Sequence, residues 1–460
     1  MNRKRKQTII IAGGGVTGLF GAILLSEIFD RIYIIEKEPT CGGLLRSVTD
    51  NAGVVYDIGS HVPTETQITE IDKILFKHKK KMIDNWSELQ DIKQGNYFNQ
   101  QWNYQNAHID TRFIEKKLYD KGVKELLALT KESNKADIKS YLYDTIGPTF
   151  SNNIILPVIN KIYDREGSSL SLEAANWPGP GKRGLKNIIA LTAELTNKLK
   201  NNKVYDLKLA HHGHNKKTHK YYYPVKNIGM TSWIRFLVDK AEKCGVKILN
   251  NNYISDIYHV DGQINSVKLG KNKQTINCNY ILWTCSVSAI IKAAKLPSIE
   301  DTSINYRSSN ILHFSYNKPL LNQTNTHLWN WDTNYLGLRY TLYPNLQHEI
   351  RPALNNITVE VVTDCDGSKH ITTDKIDEEL REIGLVCKNA RTITSMKQVV
   401  HNTFPIPEIG YNEKIKKELD YITSSLHNIL IAGQSSAKTW FQNEIITDAY
   451  FTIKNKFNYD

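Results

Sequence analysis

Three glycines and one acid are the residues of this 460-residue chain whose types and spacing speak most directly to chemistry: Gly13-x-Gly15-x-x-Gly18, then Glu36. Gly13 permits a tight turn. Gly15 omits the side chain that would block a pyrophosphate, and Gly18 lets a helix pack closely on a strand. Val16 and Thr17 open that helix, whose free N–H groups and partial positive charge would face phosphates. Glu36 stands where an acid accepts hydrogen bonds from an adenosine ribose and disfavours a 2′-phosphate, which points to FAD or NAD(H) rather than NADP(H). These residues predict an adenine-dinucleotide site.

Other side chains suggest what the site acts on. Arg339 interrupts an apolar strand-like segment, Leu336-Gly337-Leu338-Arg339-Tyr340. It either points into a pocket, where a guanidinium recognises a carboxylate or phosphate through two parallel hydrogen bonds, or faces solvent. Trp329 and Trp331 either line a cleft or pack a sheet on a helix. The six cysteines form no CxxC pair, which argues against structural zinc, an iron–sulfur cluster or a disulfide scaffold and fits a reducing compartment. Cys41, next to Gly42-Gly43, reads first as a packing residue and second as a redox or covalent-attachment site.

These residues need particular elements to position them. Apolar runs at Ile9–Ala12 and Ile32–Ile35 flank the glycines and read as parallel strands joined by a helix. Pro39 ends regular structure. Residues 66–146 carry helical periodicity in pieces, interrupted by an aromatic and amide-rich stretch at Tyr97–Tyr104. Helices packed by Phe150, Ile155, Leu156 and Ile159 follow, then a polar, exposed excursion over residues 181–222. Thr231 or Ser232 should cap a helix over Trp233–Cys244, and Asp261-Gly262 signals a tight hairpin. Strands are expected at Tyr280–Thr284, Ile311–Tyr316, Leu336–Leu342 and Ile357–Val362, with a helix near 375–384. Asn428–Gln434 again reads as a buried parallel strand ending in glycine, leading to a terminal helix, Glu444–Ile453. Ligands bind where parallel strands end and helices begin, so this distant segment can close over the same cofactor.

The expected fold class is α/β: a Rossmann-like FAD-binding domain assembled from discontinuous segments, with an α+β substrate-binding domain. The boundaries are 1–75, 223–300 and 401–460 for the nucleotide domain, 76–222 for a mainly helical cap, and 301–400 for a mixed sheet. Two domains suit the length. The formal charge of +12 comes from 59 basic and 47 acidic residues. Its clusters are dispersed and carry no nucleic-acid motif. The excess would suit an anionic small-molecule substrate or a loose membrane-surface contact, or follows simply from a Lys-rich composition. No apolar stretch reaches the length of a membrane span, and the basic N-terminus runs into a strand rather than a signal peptide, so a cytoplasmic protein is expected.

With these motifs in place, the chain resembles the group of FAD-dependent amine oxidases, protoporphyrinogen oxidases and phytoene desaturases, which also includes UDP-galactopyranose mutases. The matching segments are GGGVTGL (13–19), Glu36, CGGLLRS (41–47), YDIGSH (56–61), YYPVKNIGM (222–230), YILWTCS (280–286) and ILIAGQSS…WFQNEIITDA (429–449). The resemblance implies that Gly13, Gly15 and Gly18 hold the FAD pyrophosphate with Val16 and Thr17. Glu36, beside Lys37, would bind ribose, and Gly42, Gly43, Leu44 and Arg46 would run beside the ribityl chain. Gly59, Ser60 and His61 would approach the flavin ring, and Gly433, Gln434 and Phe441 would close over it. Trp440 and Phe441 lie near the ring or pack the terminal helix. His61 either lines the ring face and supports proton transfer or is a hydrogen-bonded supporting residue. Ile228 replaces a frequent glycine of the group, and Gln434 a frequent Asp, Glu or Arg.

The implied activity is removal of a hydride from a small organic substrate (amine, cyclic or sugar-derived), with His61 and Arg339 as candidate catalytic residues. A flavin-dependent nucleotide-sugar mutase without net redox change and a non-catalytic FAD-bound scaffold are the alternatives. No metal is expected.

Overall fold

In the computed structural model, residues 7–59, 61–76, 86–176, 184–210, 220–225, 227–347, 355–364, 366–436 and 441–457 are described. The apolar run Thr8–Ala12 is buried throughout and forms the centre of a five-stranded parallel sheet. Arg31–Ile35 and then Lys247–Leu249 lie on one side of it, Tyr280–Trp283 and then Ile429–Ile431 on the other. Strands hidden on both faces read as continuous apolar runs rather than alternating ones, as Thr8–Ala12 and Ile429–Ile431 do. Three stretches far apart in sequence thus share one sheet.

The helix Val16–Leu25 follows the glycine turn. It is apolar nearly all round, and every residue after Val16 is buried, as a helix enclosed by other elements must be. It packs against the helices Thr231–Lys243 and Gln442–Phe457. A methyl group on Gly21 would stand 2.5 Å from Leu282 Cδ2 in the underlying sheet, so this glycine sets how closely helix and sheet approach.

The second sheet has seven strands, in the order Thr392–Pro405, Tyr306–Tyr316, Asn356–Thr363, Arg339–Leu342, His327–Asn330, Gln94–Phe98 and Gln101–Asn103. All neighbours are antiparallel except His327–Asn330 with Gln94–Phe98. The amide-rich stretch expected to interrupt a helical region is therefore a hairpin of this sheet. Its reversal uses Asn99 and Gln100 at positive φ, which Asn adopts more readily than most residues. Helices Lys116–Ala128, Ile138–Ile146 and Leu156–Tyr163 build a separate core, in which Phe150, Ile155, Ile159 and Trp331 are buried.

Two local expectations change. Residues 184–210 are not a plain surface excursion, because Leu185, Ile188, Leu191 and Leu209 are buried in the helical core. Neither Thr231 nor Ser232 caps the helix Thr231–Lys243. Thr231 Oγ1 instead accepts from Ser47 N at 2.7 Å, and Thr231 N donates to Ser47 Oγ at 2.9 Å. The hydroxyl is spent on pinning the helix start to the hairpin Ser47–Thr49/Val55–Asp57. Asp261 and Gly262 both have positive φ, as the tight hairpin requires. No described helix is long and apolar enough to cross a membrane.

Candidate functional site

One cavity of about 2830 Å³ runs from the C-terminal edge of the parallel sheet to the face of the seven-stranded sheet. Small-molecule pockets typically enclose about 300–1,000 Å³, so this space has room for a ligand much larger than a metabolite, or for two at once. At one end lies the glycine turn. Gly13 has φ 100° and donates its N–H to Ile35 O at 2.9 Å, tying the turn to the second strand. Gly15 lines the cavity, and a methyl group there would meet nothing within 4 Å. Its side chain is absent for the sake of open space. Gly18 is different: it does not line the cavity, and a methyl group would stand 2.0 Å from Gly13 O. Val16 and Thr17 begin the helix at the cavity wall, with no side-chain cap and no acid in the first turn. Orphan N–H groups at an uncapped helix start suit an anion.

The Cys41–Ser47 segment forms the adjoining wall. Gly42 N donates to Gly14 O at 2.9 Å, and a methyl on Gly43 (φ 56°) would sit 3.7 Å from Gly15 Cα. Gly43 and Leu44 line the cavity here, and Arg46 braces them by donating from Nε to Gly43 O at 3.0 Å and from Nη1 to Glu38 at 3.2 Å. Glu36 is buried, and both its oxygens already accept backbone N–H groups, from Gly14 at 2.7 Å and Glu38 at 2.9 Å. It therefore shapes the turn whatever else it binds, and its unused lone pairs remain at the cavity wall. Lys37 also borders the cavity but is mostly exposed, with its ammonium 3.9 Å from Glu38. Cys41 is buried against Gly14, and burial, with Glu36 nearby, pushes its thiol up to about 12. A thiol held protonated packs rather than reacts.

The carboxy-terminal strand comes to this same place. A methyl on Gly433 (φ 85°) would lie 3.7 Å from Thr17 Cγ2 and 3.7 Å from Thr284 Cβ. Gly433, Gln434 and Phe441 all line the cavity, and so does Gln442, whose buried Nε2 has no hydrogen-bond partner among the described residues. Ser60 and Trp440 lie outside the described residues.

Asp57 turns out to be a support. It is 1 % exposed and accepts from Ser47 Oγ at 2.8 Å, from Met230 N at 2.8 Å and from Tyr223 OH. Burial raises its carboxyl above the usual range despite those three donors. Two residues further on, Gly59 and His61 reach the cavity.

At the far wall, His61, Arg339 and Trp329 come together. Arg339 donates from Nε and Nη2 to the two oxygens of Glu360, at 2.8 and 2.7 Å, and its guanidinium lies over the Trp329 ring, 5.4 Å from the centroid. Arg339 and Glu360 face each other across adjacent antiparallel strands. The expected fork for a carboxylate is thus filled by one the protein supplies. A methyl on Gly59 would meet His61 Nε2 at 3.7 Å and Glu360 Oε2 at 3.8 Å, which puts His61 beside the pair. Burial and the neighbouring Arg339 lower His61 to about 4, with Glu360 opposing, and buried His327 on the next strand falls to about 3 for the same first two reasons. Both imidazoles are neutral at pH 7. Trp331 is wholly buried, stacked on Trp329 at 5.0 Å, and serves the core.

Glu360 was missed as a site residue, although a signal existed: it is the one acid in the apolar strand Asn356–Thr363, in strict alternation with core residues. Gln442 and Thr284 carried no such signal, because only the chain's return across the sheet brings them to the cavity.

Residues 11–71 match the model of an NAD(P)-binding Rossmann-like domain. No curated protein matches the chain by sequence. Among solved structures, reduced UDP-galactopyranose mutase superposes with a TM-score of 0.76 at 16% identity, covering 98% of this chain and 94% of that one. A putative protoporphyrinogen oxidase from Exiguobacterium sp. 255-15 gives 0.70 at 12% identity, covering 98% of each chain. Wild-type putrescine oxidase bound to putrescine gives 0.61 at 12% identity, covering 98% and 99%. The chain therefore has the two-part α/β fold shared by these oxidoreductases and mutases, with a Rossmann-like N-terminal segment, as its motifs imply. At such identities the likeness is one of fold.

Proposed function

We propose that this protein binds FAD and uses it to take a hydride from a small organic substrate at the wall formed by His61, Arg339, Glu360 and Trp329. The observation that carries the reading is the convergence of Gly15, Gly43 and Gly433 on one cavity that continues to that wall. A dissociable nicotinamide cofactor needs neither the second glycine segment nor the carboxy-terminal closure. The residues present fit the larger cofactor. Gly15 leaves room for a pyrophosphate, the uncapped helix start at Val16 offers N–H groups, Glu36 borders the cavity where an adenosine ribose would lie, and Gln442 Nε2 is a cavity donor without a partner among the described residues. A flavin, when bound, supplies the redox chemistry, and the protein supplies position, electrostatics and exclusion of water.

The chain's own residues have distinct parts in this proposal. Gly59 brings backbone close to the reacting region, where a side chain would meet His61 and Glu360. His61, neutral at working pH, exchanges a proton with the substrate or holds it through one ring nitrogen. Trp329 gives an apolar face. Arg339 orients polar substrate atoms with the N–H groups that Glu360 leaves over. Since Glu360 cancels its charge, a neutral or cationic substrate suits this wall better than the anionic one expected from the net charge.

The visible spectrum of the purified protein is the first test, followed by anaerobic reduction with a panel of amines and nucleotide sugars. Flavin bands that bleach on adding a substrate support the proposal; a colourless protein that takes up no added FAD defeats it. A second reading, a nucleotide-sugar mutase, is favoured by the 0.76 superposition on reduced UDP-galactopyranose mutase. It requires turnover by pre-reduced protein with no acceptor consumed.

A further inference from the structure

The amide-rich run Asn96–His108 is only partly explained by the fold. Buried Asn96 donates from Nδ2 to Asn106 O at 2.7 Å and His108 O at 2.9 Å, and buried Asn325 donates to Tyr104 O at 2.8 Å. These amides pin the hairpin end from behind. On its other side opens a second cavity of about 340 Å³, which shares no lining residue with the large one. Asn103 and Gln105 border it, together with the rings of Trp102, Tyr104 and Phe113.

The walls are rigid although part of them faces solvent. Trp102 and Tyr104 stack at 5.2 Å with 14° between planes, and Trp102 Nε1 is fixed by a bond to Ile383 O at 2.6 Å. Tyr104 is nonetheless 39% exposed. Arg112 is held just as firmly: Nε donates to Asp110 at 2.8 Å and Nη2 to its other oxygen, while the carboxylate is fully buried and the guanidinium 37% exposed. Asp110 and Arg112 are the only acid and base among the described residues lining this pocket, so it carries no net charge. Immobile aromatic faces bind apolar C–H surface at low entropic cost, and amides and a charge-cancelled guanidinium offer neutral polar contacts to hydroxyls.

We propose that this pocket is a second binding site, for a neutral saccharide. A sugar ring presents the two surfaces the pocket complements: an axial C–H face for Tyr104, which Trp102 backs, and a rim of hydroxyls for Asn103, Gln105 and Arg112. The volume, at the lower end of small-molecule sites, suits a mono- or disaccharide. An anionic ligand would find its cation already neutralised, and a wholly apolar one would strand the amides.

Saturation-transfer NMR on the full chain with glucose, galactose, N-acetylglucosamine, maltose and lactose tests this. At least one should receive saturation, and Tyr104→Ala should weaken its binding roughly three- to tenfold, the worth of one aromatic contact. Gln105→Ala, at an exposed side chain, should weaken it too, while Arg339→Ala in the large cavity should leave it unchanged. No transfer to any of these sugars overturns the proposal. So does transfer that survives both pocket substitutions, transfer abolished by Arg339→Ala, or binding confined to sulfated or uronic sugars.

Discussion

Gly15 and Gly18 lack the same side chain for different reasons, and substitution separates them. Gly15 has φ −70° and ψ 175°, which any residue adopts, and open space beyond it. Gly15→Ala should therefore stay within about 0.5 kcal/mol of the parent in urea unfolding, yet lose most of its FAD content by absorbance. Gly18→Ala forces a methyl against a backbone oxygen, and should lower stability by about 1–3 kcal/mol or more as overpacking does. If Gly15→Ala keeps full FAD content, the phosphate assignment is wrong. The Arg339–Glu360 pair gives a second test. Glu360→Gln removes a bidentate, partly exposed partner, so a loss of about 1–2 kcal/mol is expected, below that of a fully buried pair. The freed guanidinium should also raise affinity for inorganic pyrophosphate at the wall, measurable by calorimetry on FAD-loaded protein. Unchanged pyrophosphate affinity would show that Arg339 does not face a ligand.

Among the elements, the helix Leu156–Tyr163 braces the proposed substrate wall. Lys161 donates to three carbonyls, Asn330 at 3.1 Å, Asp332 at 2.8 Å and Gly337 at 3.0 Å. Asn330 ends the strand that carries Trp329, and Asp332 and Gly337 lie in the loop leading on to Arg339. Burial lowers the ammonium to about 8, against Glu379 and Asp332, so it remains charged at pH 7 and bonded to all three. Lys161→Met would strand the carbonyls and should cost about 2–4 kcal/mol. It should also broaden the indole resonance of Trp329 in NMR spectra while leaving that of Trp233, in the other core, sharp. Sharp signals at both positions would mean that the loop holds itself.

Across the whole molecule, burial of neutral histidines in the seven-stranded sheet and beside it makes stability depend on pH. His61 and His313 are lowered to about 4 and His327 to about 3, each chiefly by burial. The unfolded chain, with histidines near 6.5, binds more protons than the folded one below that pH. Stability is thus full above about 6.5 and falls as the solution is acidified towards 4. Between pH 7 and 5 the loss should be roughly 2 kcal/mol per histidine, read from urea midpoints at the two pH values. His313→Asn, which can keep the 2.8 Å contact to Thr358 without titrating, should remove about a third of that slope. A flat profile would refute burial of these rings as neutral species.

Local sequence was enough to locate the Rossmann-like segment. The glycine spacing, the all-apolar strands and the positive φ at Gly13, Gly42, Gly43 and Gly433 are local demands of the backbone, so they leave marks in a single stretch of chain. Asp261-Gly262 was legible for the same reason. The Arg339–Glu360 wall was not. Arg339 could be suspected from its strand, but that its fork is filled by Glu360, 21 residues away, depends on the register between two strands. The hairpin at Gln94–Asn103 was hidden because its neighbour in the sheet, His327–Asn330, lies more than 200 residues away. A side chain's partners across a sheet are chosen by tertiary pairing, which no local pattern encodes; a turn that only glycine can make is encoded where it stands.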